Sequence, residues 1–196
     1  ASWLRKFLLI WRQLKLDNIT TIITSGPRGW GKYYREEGAR FVRVQDIQHG
    51  KISSDDPAFV MPPNSPDKDR ARIVPNDLLM TITGTIGRVA VAPRDFSEAY
   101  VSQHVAIVRL DNTLPADYVA AYLNHPLGGQ ITIQKMNYGQ TKPGLNLGQI
   151  QSLRIPKPPD NLIDRFESLL ETAQDIQSNS HKSAEWLDDM MKSLLI

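Results

Sequence analysis

Apolar side chains near the start of the chain recur at spacings of three and four: Trp3, Leu4, Phe7, Leu8, Trp11 and Leu14. That spacing predicts an amphipathic helix over residues 1–14. The pattern then changes to short β-branched and apolar runs separated by turn residues. Leu16 to Thr24 and Ala39 to Val44 read as strands on either side of a glycine-rich loop, Gly26 to Gly31. Asp55 to Arg72 carries four prolines and many charges, and reads as an exposed loop. Leu78 to Thr83 and Arg88 to Ala92 flank Gly84-Thr85-Ile86-Gly87, which predicts two strands joined by a tight turn. Val101 to Leu110 predicts a further strand, and Ala116 to Asn124 a helix ended by Pro126 and Gly128-Gly129. Gly139 to Leu147 is polar and turn-rich, and Ile150 to Ile155 reads as a last short strand. Residues 15–157 thus form a mixed α/β (α+β) domain of many short strands.

Pro156-Lys157-Pro158-Pro159 is a stiff hinge, and Asp160 beside it is a good helix N-cap. No Pro or Gly occurs in the 36 residues that follow Asp160. Residues 158–196 read as one long helix. A heptad seam runs through Ile163, Phe166, Leu170, Ala173, Gln177, Ser180, Ala184, Leu187, Met191 and Leu194. It is apolar except at its two central positions. At 1.5 Å per residue the helix is about 55 Å long. Such a stripe needs something to cover it: a partner helix, as in a homodimer, or its own domain if the helix folds back.

Charge sharpens the division. From Asp160 onward there are eight acids and three bases, a net −5, whereas the whole chain is +2 and the remainder therefore +7. A basic body with an acidic tail fits nucleic-acid contact by the body and protein contact by the tail. The chain has no Cys, which excludes disulfides, thiol nucleophiles and thiolate metal sites. His49, His104, His125 and His181 are far apart and form no metal-binding spacing. No metal is expected. No apolar run approaches the roughly 20 residues of a membrane span, and a cytoplasmic location is expected.

Gly26-Pro27-Arg28-Gly29-Trp30-Gly31-Lys32 opens like a phosphate-binding loop, but Tyr33 stands where a Ser or Thr must hold magnesium. The same segment reads better as a DNA-contacting surface. Ser25, Arg28, Trp30, Lys32, Tyr33, Tyr34 and Arg43 mix cations, hydroxyls and aromatic rings. Cations neutralise phosphates and read guanine edges, and hydroxyls position the backbone. A second polar cluster holds Tyr138, Gln140, Thr141 and Lys142, and Gln103-His104 offers similar chemistry. Thr83, Thr85 and Arg88, on and beside the Gly84–Gly87 turn, complete the set. No nucleophile elbow and no methyltransferase tetrapeptide is present, so no catalytic residue is assigned.

Five stretches, taken in order, resemble the specificity-subunit family of type I restriction–modification systems. They are Ile22 to Val44, with Trp30, Tyr33-Tyr34 and Gly38-Ala39-Arg40-Phe41; Val74 to Arg88; Ser102 to Leu110; Gly139 to Asn146; and Ile150 to Pro159 leading into the long helix. The resemblance implies a mixed α/β target-recognition domain that reads a few base pairs of double-stranded DNA. It implies spacer helices that dock the modification (methyltransferase) subunit, here through Ile163, Phe166, Leu170, Ala173, Leu187, Met191 and Leu194. It also implies that the chain itself does no chemistry. S-adenosylmethionine, ATP and magnesium would act only on the partner modification and restriction subunits. The family carries two recognition domains where this sequence shows one, as in a fragment or in a half-subunit that dimerises. Asp160-Asn161 stands where members often carry Glu-Gln. Two other readings remain at this point: a small standalone nuclease or nucleotide-using enzyme, and a coiled-coil assembly protein that does not read DNA.

Overall fold

The computed structural model describes residues 10–138 and 143–176. The chain divides into two compact units, Ala1–Lys157 and Pro158–Ile196.

The first unit is built on two four-stranded sheets and a two-stranded ribbon. The ribbon pairs β1 (Arg12–Lys15) with β10 (Arg154–Lys157), antiparallel, with Leu14 opposite Ile155. This corrects the end of the expected N-terminal helix, whose residues 1–9 lie outside the described residues. Trp11 and Leu14 continue the helical spacing, but antiparallel pairing with β10 over four residues overrides it. After a 3-10 turn at Leu16–Ile19, where a strand was expected, β2 (Thr20–Ser25) enters the first sheet. That turn buries Leu16 and Ile19.

The first sheet has the order β2-β9-β6-β7, with β6 (Leu78–Thr81), β7 (Val89–Val91) and β9 (Val105–Leu110). All its pairings are antiparallel. Both faces of β6 and of the first half of β9 are buried, so these strands read in sequence as unbroken apolar runs rather than alternating ones. The second sheet has the order β3-β5-β4-β8: β3 (Tyr34–Arg35), β4 (Ala39–Val42), β5 (Ala58–Val60) and β8 (Ala99–Val101). β4 and β8 run parallel. One hydrophobic cluster joins the sheets through Phe41, Val42, Val60, Leu79, Tyr100 and Ile107.

Several local expectations change. The Pro-rich stretch 55–72 is not only loop. Ala58-Phe59-Val60 pairs with strands on both sides, and Pro66–Ala71 forms α1, with proline in the first turn where no amide partner is lost. The expected single strand Val101 to Leu110 breaks at Gln103-His104, because β8 and β9 belong to different sheets. α2 (Ala116–Asn124) forms as expected and buries Val119, Ala120 and Leu123. It closes on His125, just before Pro126, and Gly128-Gly129 instead begins α3 (Gly129–Asn137). A β-carbon on Gly129 would lie 2.7 Å from the Leu123 Cα, so only glycine lets the chain double back here. α4 (Leu147–Ser152) replaces the start of the expected strand 150–155. Its cap is a reciprocal box: the Gln149 amide donates to Asn146 Oδ1 at 2.8 Å and the Asn146 amide to Gln149 Oε1 at 2.9 Å.

In the second unit, residues 160–176 are helical (α5). Of the expected seam, Ile163 is buried, Phe166 and Leu170 are half-buried and Ala173 is exposed. Leu187, Met191 and Leu194 lie outside the described residues. Leu162, Leu169 and Ile176, seven residues apart, are exposed and form a second apolar row that the seam does not include. Among the described residues, no helix is long and apolar enough to cross a membrane, and no group of three or more His, Asp or Glu is placed to hold a metal.

Candidate nucleic-acid interface

Three segments of the first unit meet beside the junction of its two sheets. The first is the end of β2, Ser25 to Arg28. Gly26 is required there: a β-carbon would sit 2.1 Å from the Val101 carbonyl oxygen and 2.5 Å from that of Ser102. Its glycine serves close packing of the protein on itself rather than approach to a ligand. Arg70 fixes the same end by donating from Nη1 to the Ser25 carbonyl at 3.0 Å.

The second segment is the β6–β7 connection. It spans residues 82–88, longer than the tight turn expected from Gly84–Gly87. Thr81, fully buried, organises it. Its hydroxyl donates to the Thr85 carbonyl and accepts from the Arg88 amide at 3.0 Å, while the Gly87 amide donates to the Thr81 carbonyl at 2.9 Å. The third segment is the β8–β9 corner, a turn closed by the Val105 amide on the Ser102 carbonyl at 3.0 Å. Gln103 and His104 are its two central residues.

These segments line two adjoining concavities. The larger, about 550 Å³, is walled by Ser25, Gly26, Arg28, Ile82, Thr83, Gln103 and His104. The smaller, about 340 Å³, is walled by Tyr34, Arg43, Val44, Gln45, Thr83, Gly84, Ser102 and His104. Thr83 and His104 line both and are hydrogen-bonded, Thr83 Oγ1 to His104 Nδ1 at 2.8 Å. Gln103 Nε2 reaches His104 Nε2 at 2.9 Å.

The two concavities differ in charge. Arg28, in the larger, is exposed. Arg43, in the smaller, is already answered: it bonds Asp46 through Nε and Nη2, at 3.2 and 3.0 Å, and Asp56 Oδ2 at 3.1 Å. The hydrogen bonds it donates to Asp46, and then to Asp56, hold its pKa above the ordinary arginine value despite burial. Arg40 shares Asp46 at 3.7 Å, and burial pushes its pKa down. Tyr34 packs edge-on against Phe41, and burial raises its phenol pKa.

Of the residues proposed from sequence, Ser25, Arg28, Tyr34, Arg43, Thr83, Gln103 and His104 come together on this surface. Trp30 does not. It is 4 % exposed and sits in the core, stacked on Phe41 at 6.2 Å and edge-on to Tyr100 at 5.5 Å. A tryptophan among cations resembles a stacking platform in sequence, but the 3-10 turn Trp30–Tyr33 directs it inward. That short turn also gives the phosphate-loop pattern no α-helix to begin. Tyr33 is half-buried, with Lys32 Nζ 5.1 Å from its ring centre. Thr85 is exposed, Arg88 is half-buried with its Nε lacking a hydrogen-bond partner among the described residues, and Tyr138 is exposed at the end of α3. Gln140, Thr141 and Lys142 lie outside the described residues. Sequence reasoning missed Gln45 and Ser102. The Ser102 hydroxyl is buried and finds no hydrogen-bond partner among the described residues, a property that only the assembled corner reveals.

No family model matches the chain. It is 22 % identical over 194 residues to the specificity subunit of the type I restriction enzyme EcoBI of Escherichia coli, covering 94 % of this chain and 40 % of that protein. Its fold matches a chain of a type I restriction–modification system solved in a study of complex assembly and conformational transition, with a TM-score of 0.63 at 19 % identity over 94 % of this chain. It also matches the HsdS subunit of Thermoanaerobacter tengcongensis, with a TM-score of 0.60 at 17 % identity over 89 % of this chain. The chain spans about two fifths of the length of each of these proteins. The resemblance read from the sequence is therefore present in sequence and in fold, and the mixed α/β class is that of the specificity-subunit structures.

Proposed function

We propose that this chain is a DNA target-recognition module of a type I restriction–modification specificity subunit, which directs methylation and cleavage carried out by other subunits. The observation that carries the reading is the groove shared by the two concavities. It sets uncharged hydrogen-bonding groups beside an exposed arginine, on the fold of specificity subunits. Double-stranded DNA needs both kinds of group, cations for phosphates and donor–acceptor pairs for base edges. The module itself performs no bond-making step. S-adenosylmethionine, ATP and magnesium belong to the modification and restriction subunits that it positions.

The helix that opens the second unit serves protein contact. Its exposed row Leu162, Leu169 and Ile176 and its acidic character suit a spacer that meets another helix, either from a modification subunit or from a second copy of this chain. The test is selection of bound duplexes from a random DNA pool, with the full chain co-expressed with a type I modification subunit at near-physiological salt. Enrichment of a short defined motif is expected. An inverted repeat with a fixed gap would identify a two-fold assembly, and a single motif a single reading head. A folded complex that enriches nothing refutes the proposal.

A further inference from the structure

We propose that the Gln103–His104–Thr83 relay, with the Ser102 hydroxyl beside it, is the base-reading element of the groove, and that Arg28 is its phosphate-contacting element. The inference rests on the DNA-recognition reading and goes beyond it by assigning the two tasks to different residues.

The relay has a fixed polarity. An amide nitrogen only donates, so Gln103 Nε2 donates to His104 Nε2 at 2.9 Å and that ring nitrogen accepts. The ring proton then lies on Nδ1, which donates to Thr83 Oγ1 at 2.8 Å. Thr83 keeps its own hydroxyl proton for a ligand, and its methyl group offers an apolar contact. Gln103 keeps a carbonyl oxygen and a second amide hydrogen, side by side. That pair is the complement of adenine N6 and N7 in the major groove, and a threonine methyl is a fitting neighbour for thymine.

Three observations place the reading here. Gln103 and His104 project from a turn anchored at both ends by β-strands of different sheets, so their backbone is held rigidly. Thr83 and His104 line both concavities, so the relay lies at the centre of the groove. Ser102, 8 % exposed, carries a hydroxyl that no group among the described residues satisfies, and it lines the smaller concavity. A buried hydroxyl without a partner is costly, and turning it toward the concavity would let a base edge supply the missing bond. Charge separates the roles. The smaller concavity's arginine is neutralised by Asp46 and Asp56, which favours uncharged base edges over phosphate. Arg28 in the larger one is exposed.

The test repeats the pool selection with Gln103→Ala, Thr83→Val and Arg28→Ala in the full chain with its modification subunit, folding being verified by thermal melting. Gln103→Ala or Thr83→Val should leave most of the motif intact and relax one or two neighbouring positions, with discrimination there falling by about 5- to 150-fold. Arg28→Ala should weaken all duplexes alike and lower the salt slope by about one. The inference is overturned if both relay variants return the wild-type motif undiminished or weaken every sequence equally. It is also overturned if Arg28→Ala alters base preference. Failure of the wild-type complex to enrich any motif is a separate result, which removes the recognition reading itself.

Discussion

Arg109 on β9 and Asp77 just before β6 form the ion pair whose loss the fold should feel most. The Asp77 side chain is fully buried. Its Oδ1 accepts from Arg109 Nε and its Oδ2 from Arg109 Nη2, each at 2.8 Å, and Oδ2 also accepts from the Val74 amide at 2.8 Å. Donating to Asp77 raises the Arg109 pKa. Replacing Arg109 by Met keeps much of its volume but leaves a carboxylate in the interior with one amide for company. Loss of one partner from such a pair costs about 3–5 kcal/mol. Total stability is on the order of 5–15 kcal/mol, so the change removes a large share of it. For a domain of this size each kcal/mol moves Tm by roughly 2–4 °C, so a fall of roughly 6–20 °C is expected. The assay is thermal and urea unfolding followed by circular dichroism, on Arg109→Met, Asp77→Leu and the double variant. The double variant removes both charges, so it should recover a substantial part of the loss. A loss below about 1 kcal/mol for Arg109→Met, on the scale of an exposed pair, would refute the argument that the carboxylate is desolvated.

Three further outcomes follow from particular contacts. Asn124 acts as a short strand along β7: its Nδ2 donates to the Val89 carbonyl at 2.8 Å, and its Oδ1 accepts from the Val89 amide at 3.0 Å. The Val89 carbonyl also accepts from the Gly50 amide at 2.9 Å, so Asn124→Leu orphans the Val89 amide alone and should cost about 1–3 kcal/mol, with faster hydrogen exchange of that amide. Gly26→Ala forces the chain away from Val101 and Ser102 and should destabilise by about 1–3 kcal/mol or more, while changing the chemical shifts of the Gln103–His104 turn in NMR spectra. Glu98 has its pKa lowered, first by the Tyr100 hydroxyl and then by Lys68. A depressed carboxylate stabilises above its unfolded pKa and loses that contribution as pH falls through its folded pKa. Glu98→Gln should therefore cost up to about 1 kcal/mol at pH 7, since the group is largely exposed, and nothing once the pH is below both values; an equal cost at pH 7 and pH 2.5 would contradict this.

Legibility followed the range of the interactions. α2 was readable because Val119, Ala120 and Leu123 lie on one helical face and a proline and two glycines follow it. The helix from Asp160 was readable because nothing in its sequence interrupts it. The strands of the first sheet were readable as apolar runs because they are buried on both faces. α3 and α4 were harder. Gly129 is a helix start only because α2 lies close enough to exclude a β-carbon, and α4 opens on the Asn146–Gln149 box in a stretch whose apolar residues Ile150 to Ile155 read as a strand. β1 and β3 exist only through their partners, β10 and β5, far away in sequence.

The sequence by itself determined the class of the fold, the split between a basic body and an acidic helical end, and the absence of thiol chemistry. It also determined most of the groups that meet in the groove, because cations, hydroxyls and amides are recognisable wherever they fall. Which of them face a ligand was decided by tertiary structure alone. Trp30 and Arg43 have the chemistry of DNA contacts, yet one is consumed by the core and the other by two aspartates. Gln103, His104 and Thr83 became a single relay because a corner between two sheets was packed against the loop that the buried Thr81 holds in place. Chemistry is a property of residue type and is written locally, whereas exposure and pairing depend on contacts across long separations that no local pattern encodes.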